Sequence, residues 1–421
     1  MALRVDLEGN MSLYSKKRKI FYSQFPTFWS DLYESEYSLY HVYSISKHTS
    51  LLLKEATERL GSIFFKTARL LRNLTDEQLL ELGYPAKSIP FLRLKTLYPE
   101  TIIARFDFAL TADGLKLLEF NSDTPTFIVE CFHINGKVCS EFGHLNPNEA
   151  GERLLSSGIT RAVIEASNGK LEPNIVFTAH ADHSEDWNTI QYLSKLCQVN
   201  NRTVPLSAMR MIDGILVDDE DIPIDVLYRQ TYPLEHLVDD LDPLSGDPVG
   251  IELLQLVKDG KLSILNPVSA FLLQPKSIQC LIWGLAEQGA FYTKEEQGWI
   301  KEYMLPTYLE ADLFKGYLAY VQKPTFGREG DTVTIWDLHS NVTDQNSFQT
   351  YKEELSVYQQ YVPLPTVSLE TEKGIEELSL VFGSFLIAGK AGSIGIRAGG
   401  KITGNESYFL PVGIKNKGEC K

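Results

Sequence analysis

The chain has 421 residues, room for two or three domains, and its 43% hydrophobic and 23% charged content is that of an ordinary globular protein. A net charge of −15 argues against a general binder of nucleic acid or anionic membrane, and any phosphate site must bring its own lysines and arginines. Cys131, Cys139, Cys197, Cys280 and Cys420 form no C-x-x-C pair and read as reduced thiols. The opening MALRVDLEGNMSLYSKKRKI lacks the apolar core of a signal peptide, and no apolar run is long enough for a membrane span. A cytoplasmic protein with neither nucleic acid nor membrane as partner is the expectation.

In chain order, residues 44–82 come first. Leu51, Leu52, Leu53, Ala56, Leu60, Ile63, Phe64 and Leu70 recur at helical spacing; Thr75-Asp76-Glu77 predicts a second helix start, and Gly83-Tyr84-Pro85 its end. A hairpin is predicted over 104–121. NIVFTA (174–179) reads as a buried strand running into HADHSEDW and a helix, and DVLYRQTYP as a strand ending at Pro233. His180 and His183 are three apart, a metal-ligand spacing on a helix, but a loop is the better reading and zinc is not expected. From about residue 255, a strand and a helix containing Ile278, Leu281, Ile282 and Leu285 precede several strands: LAYVQKP, TVTIWD, LSVYQQYVPLP, SLVFGSFLIAGKAGSIGIRAGG and YFLPVGIK. The fold class is α/β (α+β), divided as 1–100 helical, 101–255 α/β and 256–421 richer in strand.

Residues 104–124 read ARFDFALTADGLKLLEFNSDT, two period-two runs flanking Asp-Gly. A three-residue loop, Ala112-Asp113-Gly114, with Gly114 left-handed would pair Thr111 with Leu115 and Phe108 with Leu118. It would also set Asp107 opposite Glu119 and Arg105 opposite Asn121, all on one face, with Phe106 and Phe120 on the other. Opposed carboxylates about 5 Å apart at Cβ repel. Either Arg105 or a hard divalent cation such as Mg²⁺ would compensate them; a solvated polar face is the plain alternative. Replacing Asp107 by Asn is expected to relieve the repulsion and stabilise the unliganded fold.

KPTFGREG (323–330) follows a strand with Lys323 at its end, and Gly327 and Gly330 free the backbone around Arg328-Glu329 to approach an anion. An ordinary hairpin turn is the alternative. Lys276 opens a helix after LLQP and Arg397 ends the glycine-rich GKAGSIGIR. Each alone is unremarkable; with Lys323 and Arg328 they could surround a triphosphate, its metal on Asp107, Glu119 and Asn121. Asp182 caps the following helix with Glu185 as its partner, or else Asp182, Glu185 and Asp186 face a substrate.

Together, RFDFALTADGLKLLEFNSDTPT, KPTFGREGDTV, VYQQYVPLP and GSFLIAGKAGSIGIR resemble the synthetase domain of the glutathionylspermidine synthase family, ATP-grasp ligases that include trypanothione synthetase. Order and approximate spacing match from about residue 100 to 415, without the family's amidase domain. The resemblance implies an ATP-grasp fold with a preceding α/β domain and an N-terminal helical segment. It implies ATP and Mg²⁺ as cofactors and ligation of a carboxylate, such as a thiol peptide, to a cationic amine through an acyl phosphate. By the same resemblance Asp107, Glu119 and Asn121 are metal ligands and Arg105 is catalytic. Lys276, Lys323, Gly327, Arg328, Glu329, Gly330 and Arg397 bind the phosphates, Gln359 and Gln360 lie near the adenine, and Thr124, Glu185 and Asp186 bind substrate. HADHSEDW is less acidic than the family's amine-binding run, which leaves the amine open. An ATP-grasp phosphotransferase and a non-catalytic nucleotide-binding protein are the alternatives.

Overall fold

The computed structural model describes residues 12–415; Cys420 and the first part of the opening MALRVDLEGNMSLYSKKRKI lie outside them. The expected helical region is a 25-residue helix, Lys47–Leu71, followed by a short one, Asp76–Glu81. Ser46 caps the first by accepting from the Thr49 amide at 2.9 Å. Thr75 and Gln78 form a reciprocal capping box on the second, at the predicted start. The long helix buries Leu53, Leu60, Ile63 and Phe64 as one stripe. It approaches the central sheet closely at Gly61, where a Cβ would come within 2.9 Å of Leu386.

Three larger sheets carry most of the rest, beside three two-stranded ones among the described residues. A parallel four-stranded sheet orders Ser263–Leu265, Val226–Gln230, Ile175–Ala179 and Arg202–Thr203, as the strand–helix alternation predicts. A five-stranded antiparallel sheet has Tyr320–Pro324 between Ser356–Gln360 and Thr334–Trp336, with the helix Ser277–Glu287 beside it. The central sheet joins the hairpin strands Ile103–Thr111 and Gly114–Asn121 to Gly374–Ile387, Lys390–Gly399 and Tyr408–Leu410. It is therefore shared between the 101–255 and 256–421 segments.

The central sheet buries an apolar cluster on each face, and the polar side chains of Arg105 and Asp107 share theirs with Ile103, Phe385 and Ile387. Phe106 and Phe120 stack at 3.9 Å between ring centroids, and Phe64 of the long helix packs on both. The residues between them in sequence necessarily point the other way. No helix among the described residues is long and apolar enough to cross a membrane.

Candidate active site

Arg105 does face Asn121, and Asp107 does face Glu119, but by a different route from the one expected. The turn is tighter. Thr111 pairs with Gly114, at φ 103°, and Phe108 pairs with Leu117, not Leu118. A bulge at Leu118 then restores the register at Asp107. A bulge inserts one residue against a continuous partner strand, so the two shifts cancel. It also frees the Leu118 carbonyl from the ladder, and that oxygen accepts from Lys323 Nζ at 3.1 Å.

The opposed carboxylates have separate cations. Arg105 forks onto Asp107, with Nε 2.6 Å from Oδ1 and a terminal nitrogen 2.9 Å from Oδ2; its other nitrogen donates to the Thr126 carbonyl at 2.7 Å. Both residues are buried. Glu119 instead faces Lys276 at 3.4 Å. Burial would raise the Glu119 carboxyl, but Lys276, Lys323 and Arg105 outweigh it and hold it down at about 2. Burial pushes Asp107 up despite its arginine, with Glu119 adding to the push. Gly383, paired with Asp107, makes the fork possible: a Cβ there would sit 3.1 Å from Arg105 Cδ. A glycine inside an apolar strand is the sequence signal for such an approach.

Asp107, Glu119 and Asn121 offer the oxygen donors Mg²⁺ takes. Among the described residues no group of three or more His, Cys, Asp or Glu side chains could hold a metal. An ion here would draw its remaining ligands from phosphate and water, as Mg²⁺ commonly does. As oriented, the Asn121 amide nitrogen donates to both carboxylates at 3.3 Å; half a turn would present its oxygen.

Two cavities meet at Glu119. The smaller, about 120 Å³, is lined by the apolar Val321, Ile335, Val381 and Ile402 and by the charged Asp107, Glu119, Lys276 and Lys323. Gln359, Gln360, Gly327, Glu329, Gly330 and Arg397 line it as well. Lys276 Nζ donates to the Gly327 carbonyl at 2.7 Å, and Lys323 Nζ to Gln359 Oε1 at 2.7 Å. Burial lowers Lys323 to about 8, Glu119 opposing and Lys276 assisting. Gln279, unsuspected from sequence, fixes Gln359 by accepting from its amide at 3.2 Å.

The larger cavity, about 460 Å³, also touches Glu119, Gly327, Glu329 and Arg397, and adds Arg105, Asn121, Thr124, Arg328, Glu185 and Asp186. Thr124 accepts a long bond from Arg328 at 3.4 Å. The capping reading of HADHSEDW fails. The helix starts at Ser184, its N-cap position is His183, and no side chain caps it. Asp182 thus lies one residue too early and Glu185 one position short of the capping-box site. Glu185 and Asp186 instead line the cavity, where burial, then Glu130, Asp186 and Glu329, raise Glu185 to about 8. Asp123 and Arg229, unremarked in the sequence, tie the hairpin's end to the parallel sheet through two 2.8 Å contacts. All the residues expected at the site therefore line one of two joined cavities.

A slot lined by a glycine loop, with one lysine from a strand, another from a helix start and paired carboxylates beside them, belongs to an ATP-grasp fold. The chain belongs to the glutathionylspermidine synthase preATP-grasp family, whose model matches residues 17–415. It is 24% identical over 324 residues, 74% of either chain, to a Haemophilus influenzae protein provisionally named an acid–amine ligase. It is 22% identical over 347 residues to the bifunctional glutathionylspermidine synthetase/amidase of Escherichia coli, covering 78% of this chain and 53% of that one; the chain spans about half the length of that relative. In fold it is similar to a glutathione synthetase-like effector from Globodera pallida in its apo form, with TM-score 0.60, 11% identity and 96% of each chain covered.

Proposed function

We propose that the chain joins a carboxylic acid to an amine with cleavage of ATP. The observation carrying this reading is the position of Glu119, beside Asp107 and Asn121 at the junction of the two cavities. On this reading the smaller cavity takes the nucleotide. At about 120 Å³ it is narrow against the roughly 300–1,000 Å³ of ligand pockets, so the glycine loop moves to admit ATP. The apolar walls and Gln359-Gln360 take the base. Lys276, Lys323, Arg397 and the Gly327–Gly330 backbone, with Arg328 and Glu329, surround the phosphates.

Asp107, Glu119 and Asn121 would hold Mg²⁺, which supplies neutralisation of phosphate charge. Arg105 orients Asp107 and lends charge to the transferring phosphoryl. A carboxylate oxygen of the acid attacks the γ-phosphorus, the bond to ADP breaks, and an acyl phosphate forms. The amine nitrogen then attacks the acyl carbon, phosphate leaves and the ammonium proton is released. Cationic side chains spread the developing charge, and no protein nucleophile is needed. Thr124, Glu185 and Asp186 line the acceptor side, and a cationic amine entering it would draw the raised Glu185 and Asp186 carboxyls into their ionised forms and be held by them. The names of the relatives support a ligase.

The test is a product assay on purified protein with Mg·ATP, glutathione and a panel of amines. ADP and free phosphate that require both acid and amine, together with an amide product, are expected. ADP accompanied by a phosphorylated product and no amide would overturn the reading in favour of a phosphotransferase.

A further inference from the structure

A buried cation that lines neither cavity organises the N-terminal hairpin, Asp31–Leu32 paired with Ser35–Glu36. Arg18 is fully buried. It contacts Asp31 at 2.8 Å, Glu36 at 3.1 Å and the Ser38 carbonyl at 2.8 Å, and it also donates to the Ser30 carbonyl. Glu372, from a distant turn, adds a contact at 3.3 Å, and Tyr14 donates to Glu36 at 2.6 Å. The base of this very short hairpin is thereby clamped from several sides.

Its tip is strained. Tyr33 and Glu34 form the two-residue loop with φ of 50° and 63°. Two left-handed residues in succession make a type I′ turn, which favours Asn-Gly, and a tyrosine there is unfavourable. Tyr33 is also 77% exposed. Leu32, Tyr33 and Tyr37 nonetheless line the larger cavity with Glu185 and Asp186. Burial, then Glu185, Glu329 and Asp186, raise the Tyr33 hydroxyl, and the same three carboxylates line the cavity that Tyr33 borders. Tyr37 is fixed by donating to Glu130 at 2.7 Å. A rigid base holding an exposed aromatic residue in a strained turn fits a binding element better than a surface loop.

We propose that this hairpin is the acceptor-specificity element: the rings of Tyr33 and Tyr37 close the outer end of the larger cavity over an organic ammonium group whose charge Glu185 and Asp186 balance. The proposal rests on reading that cavity as the acceptor side of a ligase. Tyrosine faces attract alkylammonium groups, more strongly once water is excluded. Ammonia gains little from such a wall, whereas a diamine or polyamine gains both its charge and its methylene contacts.

Two variants of the full chain separate a binding role from a merely structural one. Tyr33→Asn combined with Glu34→Gly gives the turn its favoured residues and removes the ring; Tyr33→Phe keeps the ring. Calorimetric titration with putrescine and spermidine, in the presence of Mg·ATP, reads affinity, and thermal unfolding reads the fold. The double variant should bind either amine about ten-fold more weakly, hold Mg·ATP affinity within about two-fold of the parent, and unfold at a higher temperature. Tyr33→Phe should match the parent. Unchanged amine affinity in the double variant overturns the hairpin's role and leaves the ligase reading standing. A parent protein that binds neither amine overturns the proposal too, while acid-dependent ADP release on a neutral amino acid would preserve the ligase reading.

Discussion

Arg105 and Asp107, two residues apart on one strand, close a two-bond fork of 2.6 and 2.9 Å, which leaves Glu119 across the ladder to Lys276. Each opposed carboxylate thus has its own cation, although burial and Glu119 still hold the Asp107 carboxyl above its ordinary value. The fork changes the predicted effect of removing the Asp107 charge on the unliganded fold, because Arg105 would be left buried without its partner.

Asp107→Asn strips the buried guanidinium of its partner, which costs about 3 kcal/mol or more. The variant should therefore unfold at a lower temperature than the parent and lose Mg²⁺-dependent ATP affinity. Calorimetry with and without Mg²⁺, paired with chemical denaturation, checks both. Equal Mg·ATP affinity in the two proteins would remove Asp107 from the metal site.

Lys323 gives a pH test with two opposite signs. Its folded value of about 8 is below the ordinary lysine value of about 10.4. Between those limits the unfolded chain binds the proton and the folded one does not, so this group's contribution to stability rises with pH. Phosphate affinity falls over the same range, because the neutral amine attracts it less. ATP binding at pH 9 should accordingly take up a proton, visible as a dependence of calorimetric heat on buffer ionisation. Lys323→Arg should flatten that dependence; a parent protein whose ATP affinity is level from pH 7 to 9.5 would count against Lys323 as a phosphate ligand.

Glu185 sets a stability cost against the binding role proposed for it. Its value is raised to about 8, so its stability contribution is complete below about pH 4.3 and is lost as pH rises to about 8. Glu185→Gln should raise the unfolding temperature at pH 8 and leave it nearly unchanged at pH 4. The same variant should raise the KM for a cationic amine and spare ATP binding. Amine kinetics identical to the parent's would exclude Glu185 from the acceptor site.

The glycine loop should be a mobile lid. Glu329 and Gly330 are both left-handed, at φ 57° and 70°, and the loop is held by the Lys276–Gly327 bond and by Asn405 donating to Glu329. Protease should nick near 326–331 in the free protein, and Mg·ATP should suppress it. Gly330→Ala adds a Cβ 2.7 Å from the Thr403 carbonyl at an unfavourable φ, so it should nick faster. Cleavage there that ATP leaves unaltered would argue against a lid.

Local chemistry alone determined much of this protein. Alternation separated Arg105, Asp107, Glu119 and Asn121 from Phe106 and Phe120, because successive strand residues face opposite ways. Thr75 with Gln78, and Gly114 at its turn, reflect preferences set within a few residues. Only the tertiary structure decided the rest. The bulge at Leu118 depends on Lys323 and on the strand it faces, so no local pattern could separate it from a longer loop. The helix after strand Ile175–Ala179 starts at Ser184 without a side-chain cap, and Glu185 and Asp186 turn to the cavity. Arg18 reads as one basic residue in SKKRK; its burial depends on Asp31, Glu36 and Glu372, the last 354 positions away. Such choices are made by which distant groups arrive alongside, and charge and hydrogen-bond partners at that range leave no periodicity in the chain.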